Sequence, residues 1–206
     1  MDGVIVDSMP LHTESWRQYL LRFGIAVDDL ERRMHGRRND DIVRDFFGQH
    51  LTPGEVVRHG ADKEILFRQL MGPRLDTFLV PGAIDFVRRH AGLPMAVASN
   101  AEPANIDFTL NGAGIRPLFS TIVDGSQVKH PKPFPDIYLK AAAELGIQPG
   151  NCIVFEDSPA GVRAARDAGT RIVGVQTHEK LEGVSFTISD FRDDGLAAWL
   201  SAQEAV

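Results

Sequence analysis

The sequence has one cysteine, no long apolar run and no excess of positive charge, and each shortage excludes a class of protein. A single cysteine, Cys152, among 206 residues rules out a disulfide framework. The formal net charge is −6, from 22 basic and 28 acidic residues, which argues against a nucleic-acid-binding surface. No apolar run reaches transmembrane length, and no basic region precedes an apolar one at the N-terminus. We therefore expect a cytoplasmic protein without a membrane or nucleic-acid partner.

Two patterns of apolar residues divide the chain, whose apolar content of 43% and charged content of 24% are those of a globular protein. Between residues 10 and 79 the apolar residues recur at helical spacing, and no segment has the alternation of a strand. After residue 80, short apolar segments alternate with helical ones, which predicts a parallel sheet with helices on both faces. The expected strands are 95–98, 121–123, 152–155, 171–175 and 186–188.

The most informative stretch runs from Cys152 to Gly161, where an apolar strand ends in two adjacent acids, Glu156 and Asp157. The uninterrupted apolar run predicts a strand that is buried on both faces. Ser158 can cap the helix that follows, so both acids lie at the carboxyl end of a strand, where open α/β sheets bind ligands. A divalent cation would relieve the repulsion between the two carboxylates. The alternative is that the acids only favour the helix N-terminus through its dipole.

Polar residues also follow the other predicted strands. Ser99 and Asn100 follow one strand and Asp124 another, and a stiff loop with three prolines carries Lys132. A hydroxyl, a lysine and two acids at one edge of a sheet can bind a phosphate and a metal ion together. Taken singly, Ser99 could be only a helix cap, and Lys132 only a solvated loop cation.

In sequence order, four segments resemble the motifs of the haloacid dehalogenase (HAD) superfamily, in the branch of β-phosphoglucomutase and the sugar-phosphate phosphatases. The resemblance implies an α/β fold with a Rossmann-like core, formed by residues 1–10 and 80–206, and an inserted α-helical cap domain, residues 11–79. The four segments are Asp2-Gly3-Val4-x-Val6-Asp7-Ser8, Ser99-Asn100, Lys132-Pro133-x-Pro135-Asp136 and Glu156-Asp157-Ser158-x-Ala160-Gly161.

The resemblance also implies a chemistry, namely Mg²⁺-dependent phosphoryl transfer through an aspartyl-phosphate. Asp2 matches the acid/base, which protonates the leaving group and then activates water, and its backbone carbonyl would be a magnesium ligand. Ser99 would bind the phosphoryl group, with Asn100 beside it in the substrate site. Lys132 would bridge the phosphate and the nucleophile. The resemblance makes Glu156 and Asp157 the remaining metal ligands.

Further candidate substrate-binding residues follow from the same resemblance. Ser8 matches a position that contacts the acid/base, and His12 matches one on the hinge into the cap. Lys63 aligns with a lysine that reaches the substrate phosphate in the mutases. Arg37 and Arg38 lie near the phosphate-binding arginine of that branch, but Asn39 falls opposite it. A solvated charged face is the alternative for these cap residues.

The chain departs from the family pattern at its first residue. With Asp2 as the second acid of D-x-D, the nucleophilic aspartate would lie one position before Met1, at the end of the central strand of the sheet. A truncated gene model or expressed fragment explains this better than natural loss. We therefore expect no phosphatase turnover by the chain as written. We also expect two unpaired inner strand edges and a tendency to aggregate.

Three functions remain open at this point. The first is a phosphatase of small phosphorylated metabolites of the sugar-phosphate type, acting as a monomer or weak dimer. The second is a hexose-phosphate mutase like β-phosphoglucomutase, which differs in passing the phosphoryl group to a sugar hydroxyl rather than to water. The third is a catalytically inactive protein that binds phosphate or Mg²⁺. The uncertain position of the cap arginine favours the phosphatase over the mutase.

Overall fold

The computed structural model describes residues 1–34, 37, 39–178 and 180–204. The chain divides into two compact units, a core formed by Met1–Asp7 with Leu75–Val206, and an insert formed by Ser8–Arg74. The domain prediction placed these boundaries a few residues later, at 10/11 and 79/80. No helix in the described ranges combines the length and the apolar character that a membrane span requires.

The insert is built from helices, and its described residues form no strand. Thr52 caps the longest of them through a capping box, in which Glu55 N donates to Thr52 Oγ1 and Thr52 N donates to Glu55 Oε2. One apolar cluster, which includes Trp16 and Val43, forms the interior of this unit. The four helices are α1 (Met9–Leu21), α2 (Leu30–Met34), α3 (Asn39–Phe47) and α4 (Pro53–Met71).

The core unit alternates strands and helices, as the sequence predicts. Its apolar side chains form two clusters, one that includes Val97 and Val173 and one that includes Val123 and Ile172. Its elements are α5 (Leu75–Phe78), α6 (Ala83–Arg89), β1 (Ala96–Ser99), α7 (Pro103–Gly112), β2 (Thr121–Asp124), α8 (Asp136–Leu145), β3 (Ile153–Glu156), α9 (Pro159–Asp167), β4 (Arg171–Val175), β5 (Phe186–Ile188) and α10 (Asp194–Glu204).

The five strands form two parallel sheets rather than one. The first sheet has the order β1-β2 and the second the order β3-β4-β5. Within the described part of the chain, β1 pairs only with β2, and β3 pairs with β4 but with no strand on its other side. The prediction of a parallel α/β fold is confirmed, while the prediction that a missing central strand leaves two inner edges unpaired stays a prediction.

The prediction that β3 is buried on both faces is wrong. Ile153, Val154 and Phe155 are each only partly buried, whereas four of the five residues of β4 are buried. The reason is that β4 has a strand on each side, while β3 pairs on one side only. Cys152 was predicted inside this strand but precedes it, and is partly buried.

The first loop, residues 1–7, was predicted to contain a short extended segment at Val4–Val6, and it forms a turn instead. Gly3 has a φ of +63°, which reverses the chain and suits a residue without Cβ. The Met1 carbonyl accepts hydrogen bonds from the amides of Val4, Ile5 and Val6, at 3.2, 2.7 and 3.3 Å. The turn folds the loop back on itself.

Candidate active site

The end of β3 has the predicted strand-to-helix geometry. Ser158 Oγ accepts a hydrogen bond from Gly161 N at 3.1 Å, and Pro159 is the first residue of α9, so the helix begins directly after the two acids. The side chain of Glu156, the last residue of β3, packs closely against Gly161. A Cβ on Gly161 would lie 2.0 Å from the Glu156 carboxylate, so only glycine fits at position 161.

Both oxygens of the Glu156 carboxylate are hydrogen-bonded by protein donors. Oε1 accepts from the Lys132 ammonium and, at 2.6 Å, from the Tyr138 hydroxyl. Oε2 accepts from Asp157 N at 3.0 Å, and from Ser158 N and Oγ at 3.2 and 3.1 Å. Burial raises the pKa of Glu156, but the Lys132 charge and the hydrogen bonds from Lys132 and Tyr138 outweigh it and lower the pKa to about 2. Glu156 is therefore a buried, permanently charged acceptor.

Lys132 joins the two sheets. Besides the ion pair with Glu156 at the end of β3, its Nζ donates to the carbonyl of Ala98 in β1 at 3.1 Å. The same Nζ lies 4.8 Å from the centre of the Tyr138 ring, close enough for a cation–π contact. Only 10% of the Lys132 side chain is exposed. The alternative that Lys132 is a solvated loop cation is therefore wrong.

Asp157 has the opposite environment to its neighbour Glu156. Its carboxylate accepts no hydrogen bond from the described residues, and Gly3 packs against it so closely that a Cβ there would lie 1.8 Å from Oδ2. Burial and the adjacent Glu156 charge raise the pKa of Asp157 to about 7, and the Asp2 charge acts in the same direction. A partly buried carboxylate with like charges beside it and no donor is a place where a cation would bind favourably.

Asp2 and the Met1 amino group lie at this same edge. The negative charge of Asp2 raises the pKa of Asp157, which places the two carboxylates within electrostatic range. Partial burial lowers the pKa of the Met1 amine, and the charges of Asp2, Lys132 and Asp157 also act on it. The first loop therefore enters the site beside the ends of β1 and β3.

Ser99 and Asn100 occupy the end of β1. The buried Ser99 Oγ accepts from Ala101 N at 3.1 Å, and α7 is not capped by it, because α7 begins at Pro103 and has Glu102 at its N-cap. The alternative that Ser99 is only a helix cap is therefore wrong. Asn100 Oδ1 lies against Gly125, 3.4 Å from where a Cβ would be, at the end of the neighbouring strand β2.

The donor set at this edge suits Mg²⁺ better than a transition metal. Among the described residues there is no group of three or more His, Cys, Asp or Glu side chains that could hold an ion. Mg²⁺ is commonly bound by one or two carboxylates, with water and substrate phosphate completing its shell. The unbonded Asp157 carboxylate fits such an ion, whereas Glu156 already has five protein donors.

Three of the remaining candidate substrate-binding residues lie in the insert. Ser8 is buried and is the N-cap residue of α1, but its side chain makes no capping hydrogen bond. His12 in α1 stacks on Phe67 of α4, with ring centroids 3.9 Å apart. Lys63 in α4 is 1% exposed, pairs with Glu64, and has its Nζ 3.2 Å from His12 Nδ1. Their predicted contacts with substrate stay predictions.

The two arginine candidates also stay predictions. Arg37 binds within the insert, where it donates to the Asp45 carboxylate at 3.2 Å and to the carbonyls of Arg33 and Asp41 at 3.1 Å each. Arg38 lies outside the described residues. Asn39, which falls opposite the phosphate-binding arginine of the mutase branch, is the first residue of α3 and donates to Glu64 Oε1 at 2.6 Å.

Tyr138 is the site residue that sequence reasoning missed. In the sequence it is one apolar position of the amphipathic helix α8, among Ile137, Ala141 and Ala142. In the structure the Tyr138 hydroxyl donates to the Glu156 carboxylate. Burial of Tyr138, together with the Glu156 charge, raises the pKa of Tyr138 well above the usual value. A tyrosine at a core position of a helix that starts next to Lys132 is the only signal that could have indicated this role.

Comparison with known proteins agrees with this geometry. Residues 1–169 match the family model described as haloacid dehalogenase-like hydrolase. The fructose-1-phosphate phosphatase YqaB of Escherichia coli is 33% identical over 181 residues, which cover 85% of this chain and 93% of that protein. A phosphorylated carbohydrates phosphatase of Thermotoga maritima is 32% identical over 184 residues, or 85% of this chain and 82% of that protein. The chain belongs to the haloacid dehalogenase-like hydrolases.

A solved structure supports the same fold. The β-phosphoglucomutase of Clostridium difficile superimposes with a TM-score of 0.83 over 99% of this chain and 94% of that one, at 24% sequence identity. At this identity the likeness shows the fold alone. The sequence-based assignment to the HAD superfamily, and to its α/β fold, is confirmed.

Proposed function

We propose that this protein is a Mg²⁺-dependent phosphatase of small phosphorylated metabolites of the sugar-phosphate type. The hydrolase family is established by the match over residues 1–169. The substrate class is inferred from relatives at 32–33% identity that are named for phosphorylated sugars. The predicted cytoplasmic location and the monomer or weak dimer stay predictions.

One observation carries the proposal, namely that a lysine and an unbonded carboxylate lie side by side at the strand ends. The Ala98 carbonyl and the Glu156 carboxylate hold the Lys132 side chain in one conformation, so its ammonium group is already in place to bind an anion. Asp157 next to it is partly buried and accepts no hydrogen bond from the described chain. A phosphate with its cation supplies both the negative charge that Lys132 can bind and the positive charge that Asp157 needs.

With a nucleophilic aspartate ahead of Met1, Asp2 of this chain can serve as the acid and the base of the two half-reactions of an aspartyl-phosphate mechanism. The nucleophilic carboxylate attacks phosphorus, the ester P–O bond breaks, and the Asp2 carboxyl gives its proton to the leaving oxygen. Asp2, now a carboxylate, takes a proton from water as the water attacks phosphorus. The acyl-phosphate bond then breaks, which releases phosphate and restores the nucleophile.

Ser99 and Lys132 bind the phosphoryl group during both steps. The Ser99 oxygen already accepts from Ala101 N, and its hydroxyl hydrogen can be donated to a phosphoryl oxygen. Lys132 neutralises the charge that accumulates on the phosphoryl oxygens. When Mg²⁺ is bound, by the Asp157 carboxylate and the Asp2 carbonyl, it supplies further charge neutralisation of the same oxygens. Glu156 acts by fixing Lys132.

The nucleophile in this proposal precedes Met1. The support comes from the sheets, because β1 and β3 each have one edge without a strand partner in the described chain, and Lys132 links the ends of these two strands. A strand that ran between β1 and β3 and ended in aspartate would pair both edges and deliver its carboxylate next to Lys132.

The mutase alternative has less support. The relatives from Escherichia coli and Thermotoga maritima, at 33% and 32% identity, are both named as phosphatases, whereas the β-phosphoglucomutase supports only the fold. The arginine predicted to bind a second phosphate, Arg37, is hydrogen-bonded to Asp45 and two carbonyls of the insert. The proposal therefore has water rather than a sugar hydroxyl as the acceptor.

The test is a phosphatase screen on an extended chain, in which an apolar strand ending in aspartate precedes Met1. Phosphate release from fructose 1-phosphate and other sugar phosphates is measured with Mg²⁺ and with EDTA. We expect Mg²⁺-dependent release by the extended chain and none by the 1–206 chain. Asp2→Ala in the extended chain should lower kcat by about 10²–10⁴-fold. Asp107→Asn, an exposed aspartate of α7, should leave kcat unchanged.

Three outcomes would refute parts of the proposal. Robust Mg²⁺-dependent release by the 1–206 chain would show that the nucleophile is not upstream. An extended chain that folds but hydrolyses no phosphate ester would favour the inactive binding protein. Conversion of one hexose phosphate into its isomer, without release of phosphate, would favour the mutase.

A further inference from the structure

A two-residue segment after β4, Thr177-His178, contacts the first loop at two points. Thr177 Oγ1 donates to the Gly3 carbonyl at 3.3 Å, and His178 Nε2 donates to Asp7 Oδ1 at 2.7 Å. These contacts join residues more than 170 positions apart in the sequence. They hold the loop near both of its ends, with Asp2 next to the first contact.

The base of this segment is the best-buried strand of the core. β4 pairs with β3 on one side and β5 on the other, and Ile172, Val173 and Val175 are at most 2% exposed. Directly after the strand, Gln176 N donates to the Ile188 carbonyl at 2.8 Å. Thr177 and His178 therefore project from a part of the fold with little freedom to move.

Backbone hydrogen bonds already hold the second half of the first loop, because Asp7 N donates to the Phe78 carbonyl at 2.7 Å and the Ile5 carbonyl accepts from Val80 N at 2.9 Å. At the turn, Gly3 N donates to the Val6 carbonyl at 2.8 Å, and of the three amides that share the Met1 carbonyl only Ile5 is at a short distance, 2.7 Å, while the other two are at 3.2 and 3.3 Å. Gly3, with its φ of +63°, is the residue of the turn with the widest conformational freedom. Thr177 binds the carbonyl of that glycine.

We propose that Thr177 and His178 are positioning residues, which act through Gly3 and Asp7 to hold Asp2 where it can transfer its proton. This inference rests on the proposed function, in which Asp2 is the acid/base. Neither residue contacts the reacting atoms. Their contribution is to keep the loop closed over Asp157, where small displacements of a catalytic group lower the rate.

The first test measures loop order without any enzyme activity, by amide hydrogen exchange on the 1–206 chain. Thr177→Val and His178→Ala should each speed exchange of the Ile5 and Val6 amides about two- to tenfold, as expected for the loss of one hydrogen bond. Thr177→Ser and His178→Gln retain a donor and should restore slow exchange. His130→Ala is the matched control, because His130 forms a similar exposed pair with Asp136 at 3.2 Å.

The second test measures kcat and KM of the same variants in the extended chain. We expect kcat to fall about two- to tenfold with KM unchanged, and the two conservative variants to recover it. Unchanged exchange at Ile5 and Val6 would overturn the inference, as would faster exchange with unchanged kcat in an active extended chain. An extended chain with no activity would refute the proposed function, while the exchange rates would still decide whether this segment orders the loop.

Discussion

Each unit of this protein buries a lysine–glutamate pair, and the two pairs have different surroundings. Lys132–Glu156 lies in the core and Lys63–Glu64 in the insert, and both glutamates have a pKa of about 2. In both cases burial alone would raise the pKa, and the partner lysine is the main group that lowers it. Burial and charge therefore do not by themselves show which of the two pairs belongs to a binding site.

The difference lies in how each pair is assembled. Lys63 and Glu64 are consecutive residues of one helix, with the Trp16 ring 5.2 Å from the ammonium and Asn39 donating to the carboxylate. Lys132 and Glu156 come from a loop and a strand 24 positions apart, and Asp157 lies beside them without a donor. Lys63 and Glu64 neutralise each other, whereas the core pair has beside it a partly buried carboxylate, Asp157, that accepts no hydrogen bond from the described residues, as expected where a ligand completes the site.

The largest effect should come from removal of either lysine. Lys132→Met and Lys63→Met each leave a buried glutamate without its cation, and each should lower the free energy of unfolding by about 3–5 kcal/mol. Urea unfolding at pH 7 measures both. The double variants, with Glu156→Gln or Glu64→Gln added, should recover part of the loss. A single Lys132→Met variant as stable as the parent would show that the core pair does not form.

Each unit also buries one tyrosine, Tyr138 in the core and Tyr19 in the insert, and the two tyrosines test the same difference in surroundings. Tyr138→Phe removes a donor to the buried, charged Glu156 and should cost about 1.5–3 kcal/mol. Tyr19→Phe removes contacts with His59, at 2.8 Å, and with the solvent-exposed Asp62, and should cost about 0.5–1.5 kcal/mol because water screens the Asp62 charge. Thermal or urea unfolding of both variants gives the comparison. Equal losses would mean that the charge of Glu156 does not strengthen the Tyr138 hydrogen bond.

Two glycines should respond to alanine with opposite signs. At Gly161 an added Cβ would lie 2.0 Å from the Glu156 carboxylate, so Gly161→Ala should destabilise by about 1–3 kcal/mol through overpacking. At Gly60 in α4 the nearest atom would be Asn39 Cβ at 3.8 Å, so Gly60→Ala should stabilise the helix by about 0.5–1 kcal/mol. Stabilisation by Gly161→Ala, measured by the same unfolding titration, would contradict the observed packing around Glu156.

The pH dependence of unfolding tests the insert pair separately from the core pair. The folded-state pKa of Glu64 is about 2, below its ordinary value of 4.5, so its stabilisation is present above pH 4.5 and is lost as pH falls through the folded value. Between pH 6 and pH 3.5, Glu64→Gln should flatten the fall in unfolding free energy by about 1–2 kcal/mol. Urea titrations at the two pH values measure this. An equally steep fall in Glu64→Gln would show that Glu64 is not the group that titrates.

The sequence predicted which polar residues lie at the ends of the strands better than it predicted the packing around the strands. Ser99, Lys132 and Glu156 could be predicted because polar residues at the carboxyl ends of parallel strands meet at one edge. Tyr138 was missed because a tyrosine on the apolar face of a helix has the pattern of a core residue. The partial exposure of the three apolar residues of β3 could not be predicted from the apolar run, since the burial of a strand depends on which strands lie beside it.

Close approaches between distant segments were also beyond the sequence. Gly3 is a turn signal from sequence alone, but its contact with Asp157 joins the two ends of the chain. Thr177 and His178 belong to no motif, and only the structure brings them to Gly3 and Asp7. The boundaries of the insert were predicted within a few residues, because helical and strand–helix patterns differ over long segments.

The most direct measurement is calorimetric binding of inorganic phosphate to the extended chain, with and without Mg²⁺. If the strand ends hold a phosphate beside a cation at Asp157, then Mg²⁺ should tighten phosphate binding by about tenfold or more. Asp157→Asn should abolish this gain, and Asp167→Asn in α9 should preserve it. Phosphate binding that is equally strong with and without Mg²⁺, or an Asp157→Asn variant that keeps the full gain, would contradict the account.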